Sequence, residues 1–316
     1  MFGTLSFGEI AVDGFFLISG YLITQSFLRE PSFSAYLTKR FARIVPGYLI
    51  CFLFCVVVVA PLAGGGSVLT GPNLSRLAAR VIKLAAPAVA GAFDGLPYPS
   101  LNGAMWTIGY EFRCYLMVPV LGWLGCYSPR GKQVLAAAAI VLLALDAATS
   151  EHGPLVGSAL LRYLPHRDVH LTSVFVVGMT AFLHRDRLVL RRSWAIGAMC
   201  LLVVSLCRWY SADAGYAIFG GYAILWFSLK APVVRLSRLD NSADISYGLY
   251  LYGWPVQMLF IWWYRSIDPW LLSGVSLTIA ATFGLVSWFG IEKPCLRLAR
   301  DWIRTKNPGA ASTAVR

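Results

Sequence analysis

Charge is scarce in this chain. Asp, Glu, Lys and Arg make up 13% of its 316 residues against 58% hydrophobic ones, and the mean hydropathy is +0.64. That is about half the charge of an ordinary soluble domain, which excludes a normal water-facing surface and implies a polytopic membrane protein. Acidic groups are the scarcer sign, 15 against 27 basic ones, for a formal charge of +12 and a pI near 9.5. In a soluble chain this excess would suggest nucleic acid. Here Lys and Arg stand in short stretches between apolar runs, where they set membrane orientation, and no nucleic-acid partner is expected. The four histidines, His152, His166, His170 and His184, are scattered. The seven cysteines fall mostly inside apolar runs, as at Cys51, Cys55, Cys114, Cys200 and Cys207, without metal-ligand spacing. They read as small buried hydrophobes, and no metal site is expected. No internal repeat, soluble domain or cleavable signal is found.

What is present is a series of apolar runs, so the fold class is all-α, a transmembrane helix bundle of about nine spans. The first crossing covers residues 10 to 28. A basic connector with Arg29, Lys39, Arg40 and Arg43 precedes a second crossing from Val45 to Ala63, with Pro46 breaking the helix pattern near its start. A long connector follows, with glycines 64 to 66 and an amphipathic SRLAARVIKLAAPAVAGAF suited to the membrane interface. Residues 101 to 121 are the third crossing, and later ones fall at 133 to 149, 169 to 184, 194 to 210, 214 to 229, 244 to 264 and 270 to 290. Alternate connectors hold roughly three times as many Lys and Arg as the others, which places them in the cytoplasm and Met1 outside it. The simplest account of an outside start is a further crossing before Met1, making ten.

The third crossing, LNGAMWTIGYEFRCYLMVPVL, carries Glu111 and Arg113 inside an apolar stretch. At mid-bilayer an ionised side chain costs at least about 2.5–3.5 kcal/mol, so such residues usually face a protein interior or a wet cavity. Two positions apart on a helix they point about 200° from each other, so each is expected to have its own partner elsewhere.

Four segments carry a more specific signal: DGFFLISGYLIT from Asp13 to Thr24; RFARIVPGY from Arg40 to Tyr48; the pattern of Asn102, Trp106, Thr107, Glu111 and Tyr115; and DISYGLYLYGWPVQ from Asp244 to Gln257, followed by IEKP at 291 to 294. In this order and spacing they resemble the acyltransferase-3 family of membrane O-acyltransferases, which acylate lipopolysaccharide sugars, other surface glycans, Nod factors and macrolides. The resemblance implies one membrane domain over residues 1–298, N-terminally incomplete, and a cytoplasmic basic tail over 299–316. Such a protein would reside in the inner (cytoplasmic) membrane and carry an acyl group, acetyl by expectation, from acetyl-CoA to a sugar or glycolipid hydroxyl, with no bound cofactor. Two departures stand out. The family's catalytic histidine belongs to a span upstream of the DGFF-like segment, and no histidine precedes His152; Gly253 stands where the family usually has a second histidine. These leave open a lost first span, another base, or an inactive member.

Acyl transfer from a thioester to a hydroxyl needs a base, donors for the developing oxyanion and anchorage for the donor's phosphates. Arg40 and Arg43 suit phosphate, because guanidinium forks match its oxygens; topological anchoring is the competing role. Glu111 is the expected catalytic carboxylate, orienting an imidazole or meeting a sugar hydroxyl. Asn102, Trp106 and Tyr250 are the expected acceptor residues, the first two sharing one face if the helix starts that early. Ser19 and Gly20 are expected to allow close helix packing. His152, His166 and His170, in or beside an outside loop, are reserve bases. The rival function is a transporter or flippase, which the lack of repeated halves disfavours.

Overall fold

A chain this apolar must satisfy its backbone hydrogen bonds within each segment, and helices do so without leaving an edge. The computed structural model describes residues 6–29, 32–66, 71–150, 155, 165–207, 209–230 and 244–306, and among them the regular elements are all helical. In chain order these are α1 (Phe7–Arg29), α2 (Phe33–Phe54), α3 (Ala60–Leu62), α4 (Gly71–Ile82), α5 (Ile108–Trp123), α6 (Gly131–Thr149), α7 (His166–Leu183), α8 (Arg192–Leu206), α9 (Trp209–Gly215), α10 (Gly221–Lys230), α11 (Ser246–Trp263), α12 (Pro269–Ser287) and α13 (Lys293–Lys306). Short π-turns join α2 to α3, α9 to α10 and α12 to α13, and a 3-10 turn, Gly103–Thr107, leads into α5.

Among the described residues four helices are long and apolar enough to cross a bilayer: Phe7–Arg29, Phe33–Leu62, Gly131–Thr149 and Pro269–Lys306. The count of about nine spans is therefore not established by length and apolarity. Several other expected crossings are short or rich in polar aromatics, as in α11 with Tyr247, Tyr250, Tyr252 and Trp254.

Contacts divide the chain into two compact units, residues 1–33 with 110–234, and residues 34–109 with 235–316. In the first, α1 lies against α7 at a distance set by two glycines. A Cβ on Gly20 would stand 2.1 Å from the Phe175 carbonyl oxygen, and one on Gly178 would stand 2.1 Å from that of Leu17. Gly20 is thus the close-packing residue it was expected to be. The Tyr216 hydroxyl donates to the Ile10 carbonyl at 2.7 Å, and its ring packs with Leu202, Leu206 and Ala212.

In the second unit α11 and α12 meet at Gly248 and Gly284, where a Cβ on the former would come within 2.5 Å of the latter's Cα. The Tyr247 hydroxyl donates to the Ile44 carbonyl at 2.9 Å, over Gly47, which has no side chain to block the ring.

Two expectations about local structure are corrected. Lys39, Arg40 and Arg43 are not in a connector but in α2, which runs on through Pro46. A proline costs a helix one hydrogen bond and a clash with the carbonyl four residues back, and burial of Ile44, Val45, Gly47 and Tyr48 around it holds the helix together. Asn102 and Trp106 do not share an α-helical face, because Asn102 is the N-cap of the 3-10 turn and its side chain accepts from the Ala104 amide at 3.1 Å. The tail expected from residue 299 is helical as far as Lys306, within α13; residues 307–316 lie outside those described.

Candidate active site

Four ionisable side chains from separate segments of the first unit converge. Asp13 comes from α1, Asp146 from the last turn of α6, His170 from the second turn of α7 and Asp213 from α9. His170 Nε2 lies 2.8 Å from Asp13 Oδ1 and Nδ1 lies 2.9 Å from Asp146 Oδ2. The two carboxylates are essentially sealed, with side-chain exposures of 2% and 0%, while the imidazole is 13% exposed. Each short N···O contact needs a proton between its partners, so the ring and two carboxyls together hold two protons and one net negative charge, wherever each proton resides.

The surroundings reinforce the arrangement. His166, one turn before His170, has its ring centroid 5.7 Å away, and its Nδ1 is 3.4 Å from Asp146 Oδ1 and 3.3 Å from the Thr149 hydroxyl. Asp146, His170 and Asp213 each present one potential ligand atom, all within 4.8 Å of one another. The sequence showed no metal-ligand spacing because these positions are far apart along the chain. His170 already engages both ring nitrogens with carboxylates, so a cation there would have to displace a proton from the ring.

His166 falls in the outside connector expected before residue 169, and His170 just inside the crossing expected from 169 to 184. Both belong to α7, which starts three residues ahead of that expected crossing because its first turns, HRDVH, are polar and carry no apolar periodicity. His152 lies outside the described residues. Asp146 carried a usable signal, as the single acid in an otherwise apolar α6. Nothing in the sequence paired it with position 170.

The other site residues divide between the units. Glu111, in the first turn of α5 and 8% exposed, belongs to the first unit and accepts a short hydrogen bond from the Tyr115 hydroxyl. Arg113 pairs with Asp168 at 2.8 Å, so Glu111 and Arg113 do have separate partners. Arg208, another conceivable partner for Glu111, lies outside the described residues.

In the second unit Arg43 Nη2 contacts Asp244 Oδ2 at 2.6 Å and the guanidinium lies 6.0 Å from the Trp288 ring, while Arg40 lies 5.7 Å from the Tyr36 ring. Asn102, Trp106 and Tyr250 are brought together at the 3-10 turn. Asn102 is fully buried and donates to the Leu251 carbonyl at 2.8 Å; the Tyr250 hydroxyl meets Thr107 Oγ1 at 2.5 Å and bonds the Ala104 carbonyl. Asn102 and Tyr250 therefore hold the turn that presents Trp106. A buried carboxylate not anticipated from the sequence, Glu292, accepts from the Ser287 hydroxyl at 2.8 Å. At Gly253, an added Cβ would meet nothing within 4 Å.

Comparison with known proteins agrees with the motif reading. The acyltransferase-3 family model, described as an acyltransferase domain, matches residues 1–290. An O-acetyl transferase of Shigella phage Sf6 is 28% identical over 93% of this chain and 86% of its own length. Nodulation protein 10 of Rhizobium leguminosarum bv. viciae is 27% identical over 93% of this chain and 84% of its own. Acyltransferase MdmB of Streptomyces mycarofaciens is 33% identical over 36% of this chain and 28% of its own. No solved structure matches.

Proposed function

The chain belongs to the acyltransferase-3 family, and from that premise we propose that it is a multi-pass enzyme of the cytoplasmic membrane that moves an acetyl group from cytoplasmic acetyl-CoA to a hydroxyl of a cell-surface glycan or glycolipid. The similarity to a phage O-acetyl transferase supports the acyl group and the oxygen acceptor. The observation that carries the chemistry is His170 held between Asp13 and Asp146. Asp13 opens the DGFF-like segment, so a motif residue of the family is tied directly to an imidazole in a chain with no histidine ahead of position 152.

In this reading Asp146 orients the ring through Nδ1, and Nε2 exchanges its contact with Asp13, which keeps the proton the two share, for the acceptor hydroxyl. The hydroxyl proton passes to the ring as its oxygen forms a bond to the thioester carbonyl carbon. The carbon–sulfur bond then breaks, and the leaving thiolate takes that same proton back from the imidazolium to become free thiol, so nothing beyond acceptor and donor is consumed. Glu111 adds negative charge that favours the imidazolium state. Arg40 and Arg43 take the donor's phosphates, Arg43 by exchanging Asp244 for a phosphate oxygen. Trp106 supplies an aromatic face for the sugar, with Asn102 and Tyr250 positioning its turn.

The test is transfer of labelled acetyl from acetyl-CoA to membrane glycans by cells or membranes carrying the wild type, His170→Gln or Asp146→Asn. We expect transfer by the wild type and a loss of about 10²-fold or more in His170→Gln, the range of acid–base contributions. Full turnover by a folded His170→Gln protein would remove His170 from the mechanism. No transfer to any oxygen acceptor by folded wild type would remove the reading itself.

A further inference from the structure

The amphipathic helix α4, in the second unit, has no place in the proposed chemistry. At about 100° per residue, Arg76, Arg80 and Lys83 fall within about 60° of arc, while Leu74, Leu77, Ala78, Val81 and Ile82 occupy the opposite side. Protein covers that apolar side in part: Leu77 is buried, but Leu74 is 60% and Ile82 84% exposed. The cations border a cavity of about 390 Å³ lined by Arg76, Ala79, Arg80, Lys83 and Ala85.

This surface is anchored. The Tyr48 hydroxyl donates to the Ala85 carbonyl at 2.8 Å, and Arg80 Nη1 donates to the Ala86 carbonyl at 2.9 Å, which sets one guanidinium at the edge of the cavity. The helix ends with Leu84 at φ 51°, and the Ala85 amide returns to the Arg80 carbonyl at 2.9 Å, so the chain folds back beside its own cations. Residues 71 to 100 hold these three cations and a single acid, Asp94. Among the described residues none of the three takes part in an ion pair.

We propose that α4 lies flat in the bilayer interface and that Arg76, Arg80 and Lys83 bind the phosphate headgroup of an anionic membrane lipid. The exposed Leu74 and Ile82 enter the acyl-chain region while the cations face the headgroups, the arrangement in which apolar burial and electrostatic attraction add. A soluble protein partner would leave such a two-sided helix half matched. The charge complement suits phosphate, whose oxygens match the two guanidinium forks.

Native mass spectrometry of the full chain released from mixed phosphatidylcholine and phosphatidic acid nanodiscs tests this. The wild type should retain phosphatidic acid in preference to phosphatidylcholine. The triple variant Arg76→Gln/Arg80→Gln/Lys83→Gln should lose that preference by roughly fivefold for each cation removed. Should the triple variant fail to fold, Arg76→Gln alone carries the test with a roughly fivefold drop, since Arg76 lies outside the Arg80 carbonyl contact. Undiminished preference in a folded variant overturns the proposal. So does displacement of the lipid by inorganic phosphate, which would make this a soluble-phosphate site.

Discussion

At the scale of single residues, Glu111 and Gly253 make opposite predictions. Glu111 is buried beside the Tyr115 hydroxyl, and glutamine offers that hydroxyl the same acceptor without the charge. Glu111→Gln should therefore leave the detergent melting temperature nearly unchanged. If the carboxylate favours an imidazolium in the transition state, turnover should fall by about 10²-fold. Acyl transfer and thermal melts on the same preparation decide: a variant that unfolds but keeps normal turnover per folded molecule leaves Glu111 a structural role. Gly253 sits inside α11 where an added Cβ meets nothing within 4 Å. Gly253→Ala should then stabilise by about 0.5–1 kcal/mol, because alanine loses less backbone entropy in a helix. A lower melting temperature would show that the glycine is needed for a close approach after all.

At the scale of elements, the α1–α7 contact is the most exacting. Gly20 and Gly178 each face the partner's backbone at a separation that no methyl group fits. Gly20→Ala should push the helices apart and cost about 1–3 kcal/mol, the range for overpacked cores. Because Gly178→Ala strains the same contact, the double variant should lose less than the sum of the two single losses. Chemical denaturation of the three variants in one detergent measures this, and strict additivity would mean the two glycines work at independent contacts. The same helices carry Asp13 and His170, so displacing them should also lower acyl transfer beyond what the loss of folded protein explains.

At the scale of the whole molecule, the distribution of Lys and Arg predicts topology. Tyr98, 73% exposed, lies in a connector expected outside the cytoplasm, and Ser128 in one expected inside. In a cysteine-free background Tyr98→Cys should react with a membrane-impermeant thiol reagent on intact cells, and Ser128→Cys only after permeabilisation. The reverse pattern would invert the orientation and move Arg40 and Arg43 away from the compartment where acyl-CoA is made. Much of this scale was determined by the sequence alone. Apolar content dictated helices, since lipid leaves the backbone no other economical partner, and the four motifs carried the family because their order and spacing survive along the chain. Small residues announced close packing at Gly20, and the two-position offset of Glu111 and Arg113 required separate partners, because both are local geometry. Tertiary structure decided what is not local. Where α7 begins, and hence that His166 is helical and that His170 lies between two carboxylates, depended on partners far away in sequence at Asp13 and Asp146. The start of α5 after a 3-10 turn depended on Asn102 reaching across to the Leu251 carbonyl. Proton-sharing contacts act over about 3 Å, and only folding brings residues so distant along the chain to that range.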